Sequence, residues 1–287
     1  MKRFGITNPI YTSRVRKVIE ENYRVRTLEI DHDMLSAMPG QFLMVWVPGA
    51  GERPMSIGNN LPLTISVAGV GRVSSEICRL KEGDVISYRG PFGKGFTLPH
   101  PASGTQYPER ETNSPKPEAG GRRRILCVGG GYGVVPMYFL SKEAKGQGIE
   151  SVAVIGGRSE KDIVWEKQLF TVCKEVFITT DDGSRGKKGN VMAEVQWLVE
   201  GKHVDCVYAC GPERMMEAVA KLCKQHGIPC QLSVERYMKC GMGVCGSCAI
   251  DGRFACVDGP VMSGEEALSL AEFGSSHRDA AGLSHKL

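Results

Sequence analysis

The string C-GMGV-C-GS-C-AIDGRFA-C places Cys240, Cys245, Cys248 and Cys256 within one short segment. A C-x4-C-x2-C run followed, seven residues later, by a further cysteine has the spacing of a plant-type [2Fe–2S] loop. One tight loop must present several thiolates to a cluster a few ångströms across. Small residues let backbone N–H groups turn inward toward sulfur and help set the potential. Gly241, Gly243, Gly246 and Ser247 supply that freedom. The last thiolate arrives from a hairpin expected to turn at Asp251-Gly252. The competing metal reading is a zinc site with four cysteine ligands. Zinc ligands usually come as two separated C-x2-C knuckles, and only one C-x2-C is present here.

A second group is Gly129-Gly130-Gly131-Tyr132-Gly133, between an apolar run and a helical pattern. Glycines at such a turn let backbone approach a phosphate, and the following helix N-terminus favours its charge. The run departs from strict G-x-G-x-x-G and alone is equally a tight turn without a ligand. Three further strand ends carry similar chemistry: Gly156-Gly157-Arg158, Thr180-Asp181-Asp182-Gly183 and Cys210-Gly211-Pro212-Glu213. Together they line one edge of one sheet, where open α/β sheets bind ligands. A third group, Arg53-Pro54-Met55-Ser56, carries a guanidinium and a hydroxyl that could hold a pyrophosphate and a flavin ring, although an Arg on a barrel strand is as a rule simply solvated.

The elements that must position these groups follow from pattern. Residues 1–99 hold short β-like runs, among them RVRTLEI, QFLMVWV, RPMSI, LTISVAG and DVISYRG, and predict a small antiparallel barrel or sandwich. Residues 100–121 are poor in large apolar side chains and read as an exposed loop or linker. In residues 122–235, apolar runs alternate with helical patterns, which predicts a parallel sheet with helices on both faces. Residues 236–262 form the cysteine module, and 263–287 a polar tail with one helical pattern, EEALSLAEF.

Composition sets the outer bounds. The 287 residues suit two medium domains and a small module, and 41% hydrophobic content supports real cores. A net charge of +4 does not suggest nucleic-acid binding. No apolar stretch is long enough for a membrane helix, and the N-terminal MKRFGITNP lacks an export-signal core, so a cytoplasmic protein with reduced thiols is expected. Cys78, Cys127, Cys173, Cys206, Cys223 and Cys230 stand singly in apolar segments and read as small core residues.

The order of these parts resembles the ferredoxin–NADP reductase superfamily, a flavin-binding β-barrel followed by a nicotinamide-binding α/β domain. Its R-x-Y-S flavin motif looks like Arg53–Ser56, with Met55 in the Tyr position. Its second flavin segment resembles GRVSSEI, where Val73 and Ser74 would meet the pyrophosphate. The preceding strand, with Ser66, Val67 and Ala68, would run along the flavin. GGGYGVVP and CGPERMM match its nicotinamide segments, and that match makes Cys210 either a neighbour of the hydride path or a small strand-end residue. The block ERYMKCGMGVCGSCAIDGRFACVDGPV narrows the likeness to electron-transfer subunits of dihydroorotate dehydrogenase.

The resemblance implies FAD on the barrel, NAD in the α/β domain with NADP as the alternative, and a [2Fe–2S] cluster. It also implies a hetero-oligomer with a catalytic flavoprotein subunit, a place in pyrimidine biosynthesis, and no acid–base catalytic residue of this chain's own. Arg158 could meet a 2′-phosphate or face solvent. Related subunits of sulfide dehydrogenases, hydrogenases and bifurcating transhydrogenases form the alternative; some of the bifurcating ones place an Asp among the ligands, whereas this chain has Cys at all of these positions. A non-catalytic nucleotide-binding regulator is the remaining reading.

Overall fold

A computed structural model describes residues 9–99, 123–201, 204–279 and 281–287. The linker expected at 100–121 lies outside them. Six strands close a barrel: β1 (Tyr11–Glu20), β2 (Val25–Ile30), β3 (Phe42–Val47), β4 (Gly51–Asn60), β5 (Leu63–Ala68) and β6 (Val85–Phe92). They run in the order β1-β2-β5-β4-β3-β6, and every pairing between neighbours is antiparallel. Alternation drives closure, because Leu28, Ile30, Leu43, Val45, Ile57, Leu63, Ile65 and Tyr88 all turn inward to one core. Two barrel elements escape the pattern reading. Strand β1 has only one fully buried residue, Val15, and GRVSSEI folds as a helix, α1 (Arg72–Cys78), that buries Val73, Ser74 and Ile77.

The second domain alternates as expected. Its strands are β7 (Arg124–Gly130), β8 (Glu150–Gly157), β9 (Glu175–Thr180), a short β10 (Lys187–Lys188), β11 (Cys206–Cys210) and β12 (Cys230–Ser233). Its helices are α2 (Val134–Gly146), α3 (Glu166–Val172), α4 (Met192–Gly201) and α5 (Glu213–Gln225). The sheet order is β10-β9-β8-β7-β11-β12, with a further strand from the C-terminal part at the β12 edge. Strand order therefore reverses beside β7, and such a switch point opens a crevice at the strands' carboxyl ends.

The C-terminal part differs from the expected polar tail. A hairpin of β13 (Ala249–Ile250) and β14 (Arg253–Phe254) is followed by β15 (Val261–Ser263), which pairs antiparallel with β12 and extends the sheet. Helix α6 (Gly264–Leu268) then packs against α5, and Ala267, Leu270 and Phe273 are buried in the α/β core. A short helix with a few apolar residues looks polar by composition; its partners lie some fifty residues away in sequence on α5 (Glu213–Gln225). The chain ends in a small ladder of β16 (Ser276–Arg278) and β17 (Ser284–Lys286).

Trp165 joins the two large domains. It lies 4% exposed, and its indole N–H reaches Ser66 Oγ at 2.9 Å on β5 and Thr27 Oγ1 at 3.2 Å on β2. A Cβ on Gly58 of β4 would stand 2.7 Å from Val135 of α2, so barrel and α/β domain meet in close contact.

Candidate functional site

The cysteine loop is built on left-handed glycines. Gly241, Gly243 and Gly246 have φ of 72°, 75° and 72°, values that side-chain-bearing residues rarely adopt. Their turns aim backbone donors at sulfur: Met242 N–H reaches Cys240 Sγ at 3.4 Å, and Gly243 N–H reaches Cys256 Sγ at 3.1 Å. The hairpin behind the loop turns at Asp251-Gly252, both at positive φ, as a two-residue hairpin turn demands.

The four thiols stand as two pairs. Cys245 is coupled most directly to Cys240, and Cys248 to Cys256. Partial desolvation pushes the Cys245 thiol up, but hydrogen bonds from Ser247 and Cys240 outweigh it and bring it down to about 6. The hydrogen bond with Cys256 lowers Cys248 to about 7 against the opposing effect of burial, and Cys256 is pushed up as the member that keeps the shared proton. Depressed thiols are ready ligands. Four thiols in one glycine-rich loop, with backbone N–H groups aimed at sulfur, fit the donor set of a [2Fe–2S] cluster.

This loop rests on the barrel. A Cβ on Gly241 would lie 2.7 Å from Met44 Cγ on β3, and Met44 pairs with Pro54 on β4. Cys248 and Cys256 share an apolar cluster with Phe42, Met44 and Phe92. Next to them, the Arg53 guanidinium lies 5.3 Å from the centroid of Tyr237 and donates to the Glu52 carbonyl at 2.8 Å. Pro54 and Met55 are half-buried and Ser56 is exposed.

The segment that resembles a second flavin motif is arranged differently from a row of side-chain ligands. Ser66 is engaged by Thr27 and Trp165, Val67 points into the barrel core and Ala68 packs at the domain junction. Val73 and Ser74 are buried, and the Ser74 hydroxyl accepts from the N–H groups of Val70 and Gly71. At Ser66, Val67, Val73 and Ser74, backbone is what remains for a ligand.

The glycine-rich turn opens a cleft of about 440 Å³ at the switch point. Gly130, Gly131, Gly133, Gly157, Arg158, Asp181, Gly211 and Pro212 line it, while Gly129 and Cys210 stand behind its wall. Close backbone packing explains part of the glycine run, since a Cβ on Gly133 would fall 2.1 Å from the Cys210 carbonyl oxygen. Cys210 is 3% exposed, and burial, then the neighbouring Glu235, pushes its thiol up. Sequence reading missed Arg24, Tyr132, Asp162, Thr179, Asn190 and Glu235 of the lining; of these only Tyr132 carried a signal, from its place inside the glycine run.

Comparisons with known proteins agree with this layout. The profile of the iron–sulfur cluster binding domain of dihydroorotate dehydrogenase B matches residues 235–268, and that of an oxidoreductase NAD-binding domain matches 127–221. The chain is 35% identical to the "probable dihydroorotate dehydrogenase B (NAD(+)), electron transfer subunit" of Methanocaldococcus jannaschii, over 94% of this chain and 95% of the relative. It is 38% identical to the protein of the same name from Pyrococcus furiosus, over 87% and 89% of the two chains. Among solved structures, the NADH-dependent reduced ferredoxin–NADP oxidoreductase studied for flavin-based electron bifurcation superposes with a TM-score of 0.74 at 27% identity, covering 88% of each chain. A ferredoxin reductase of carbazole 1,9a-dioxygenase shares the fold, with a TM-score of 0.56 at 19% identity over 77% of this chain and 68% of that one. At this identity along nearly its whole length, the chain belongs to the family of dihydroorotate dehydrogenase B (NAD(+)) electron transfer subunits.

Proposed function

We propose that this chain carries electrons between a dihydroorotate-oxidising flavoprotein subunit and NAD, through a [2Fe–2S] cluster on Cys240, Cys245, Cys248 and Cys256 and an FAD on the barrel. One observation carries the reading: the cysteine loop is seated on β3, directly beside the β4 strand of Arg53–Ser56, with Tyr237 stacked on Arg53. When bound, the flavin exchanges a hydride's two electrons with the nicotinamide, and the cluster passes electrons singly.

The protein's part is to position and bias. Arg53, fixed by Tyr237 and the Glu52 carbonyl, presents its charge to the flavin pyrophosphate, and Ser56 presents its hydroxyl to the ring. Backbone of Ser66–Ala68 and of Val73-Ser74 completes that site. In the cleft, the turn at Gly130–Gly133 receives the dinucleotide pyrophosphate, and Asp181 at the end of β9 faces a ribose. The cleft sets Asp162, Asp181 and Glu235 against Arg24 and Arg158, and Asp181 beside Arg158 favours an unphosphorylated ribose and hence NAD over NADP. On the cluster side, Val244 is 77% and Val257 47% exposed beside exposed Cys245, an apolar rim suited to the partner subunit. Among the described residues no helix is long and apolar enough to cross a membrane.

Co-purification from the native cell, with assay of dihydroorotate-dependent NAD⁺ reduction, tests the reading. A stable complex inactive with dihydroorotate but active with sulfide would sink it. The likeness to the bifurcating reductase favours a second reading, for which the same complex would couple NADH to ferredoxin.

A further inference from the structure

Among the described residues, the cleft at the switch point holds buried polar atoms without a well-formed hydrogen bond. Among the described residues, Arg24 Nε, Tyr132 Oη and Thr179 Oγ1 are enclosed without a hydrogen-bond partner, and all three residues line this cleft. An enclosed polar atom left unpaired is destabilising, and native proteins keep few of them. Three in one cleft indicate a ligand rich in acceptors. Thr179 is 1% exposed, so bulk solvent does not serve it.

Arg24 is the unexpected member, because it belongs to the barrel. Its backbone is fixed at the β1–β2 turn, where Asn22 Oδ1 accepts from the N–H groups of Arg24 at 3.0 Å and Val25 at 2.9 Å, and the Arg24 carbonyl accepts from Gly69 N–H at 3.0 Å. Its guanidinium crosses to the other domain and lies 5.2 Å from the ring centroid of Tyr132, inside the glycine-rich turn that opens α2. One nitrogen stands 3.5 Å from Asp162 Oδ1, a carboxylate already receiving the Tyr23 hydroxyl at 3.0 Å and the Ser159 hydroxyl on its other oxygen at 3.0 Å. That long contact leaves most of the guanidinium's donors free. None of Arg53, Ser56, Ser66, Val73 and Ser74 lines this cleft, so Arg24 faces the nucleotide side and not the flavin side.

We propose that Arg24 is a phosphate-binding residue of the nicotinamide-nucleotide cleft, supplied by the barrel and closing with Tyr132 over the dinucleotide pyrophosphate. The proposal rests on the reading of this cleft as the NAD site. It makes dinucleotide affinity depend on how the barrel sits against the α/β domain, which is the junction held by Trp165. A planar guanidinium stacked on a ring and facing N–H donors of a helix start suits a diphosphate held from two sides.

The test uses the full chain with its flavin and cluster, comparing wild type, Arg24→Gln, Arg24→Lys and Tyr132→Phe in titrations with NADH and with ADP-ribose at two salt concentrations. Arg24→Gln should weaken both ligands roughly tenfold or more and flatten the salt dependence of Kd. Arg24→Lys should recover part of the loss, and Tyr132→Phe should show a smaller one. Flavin content should not change. Unaltered affinity in Arg24→Gln beside normal wild-type binding overturns the proposal and leaves the cleft reading standing. Loss of flavin, or weaker binding with an unchanged salt slope, also overturns it. Failure of wild type to bind either ligand removes the cleft reading and the proposal with it.

Discussion

Arg89 on β6 donates to the carbonyl of Cys240 at 3.1 Å across 151 residues of sequence. The same guanidinium grips Glu52 on β4 at 3.0 and 2.5 Å, with side-chain exposures of 12% for Arg89 and 22% for Glu52. One fork thus ties the first residue of the cysteine loop to the strand residue preceding Arg53. Replacing Arg89 by Met should leave the Glu52 carboxylate half-buried and unpaired and release the loop's anchor. A loss of about 2 kcal/mol is expected, seen as a lower melting temperature and faster iron release to a chelator. Unchanged iron retention would count against the anchor.

Cys245→Ser should remove the cluster's visible absorbance and most of the iron while leaving flavin in place. Cys245 is exposed and its thiol is lowered to about 6, so the change perturbs ligation more than packing. Metal analysis and the visible spectrum check it; zinc without iron in the wild-type chain would overturn the cluster assignment.

Gly133→Ala should be poorly tolerated. The added Cβ would sit 2.1 Å from the Cys210 carbonyl oxygen, a rigid backbone atom. The glycine-rich turn must then move away from the Cys210-Gly211-Pro212 loop. NADH affinity should fall by at least about tenfold, roughly 1.4 kcal/mol, and soluble yield should fall with it. Normal affinity would show that the turn can shift freely.

Glu213 gives a pH signature. It is paired with Arg236 at 2.7 Å, with side-chain exposures of 7% and 1%. Burial pushes its carboxyl above the ordinary value of 4.5, and Arg236 only partly offsets that. The folded state therefore holds this proton more tightly than the unfolded chain does. The resulting stability is present below 4.5 and is lost as pH rises through the raised folded value. Melting temperature followed across this window should show the decline, and Glu213→Gln should flatten it. A variant with the wild-type profile would remove Glu213 as the cause.

Local signals made much of the molecule legible. The cysteine spacing, the hairpin at Asp251-Gly252 and the glycine-rich turn are short-range features, each needing particular residue types within a few positions. Strand–helix alternation identified β7, β8, β9, β11 and β12 with their helices because each buries its own apolar stripe; the two exposed lysines of β10 carry no such stripe. The pattern EEALSLAEF marked helix α6 (Gly264–Leu268), but its docking escaped because its burial comes from α5 and β12 and not from its own pattern. Helix α1 escaped because it is one short segment whose Ser74 hydroxyl caps its own start.

By itself the sequence determined which residue types stand at which spacing: four thiols in a glycine loop, polar ends on parallel strands, and Arg53 and Ser56 on a barrel strand. It could not place Arg24 beside Tyr132, Trp165 against Ser66, or Arg89 under Cys240. Those contacts span from 99 to 151 residues in the cases of Ser66–Trp165 and Arg89–Cys240, and no local propensity encodes them. They exist only once the barrel closes and docks on the α/β domain, since a long polar side chain goes wherever the assembled surface offers its donors a partner.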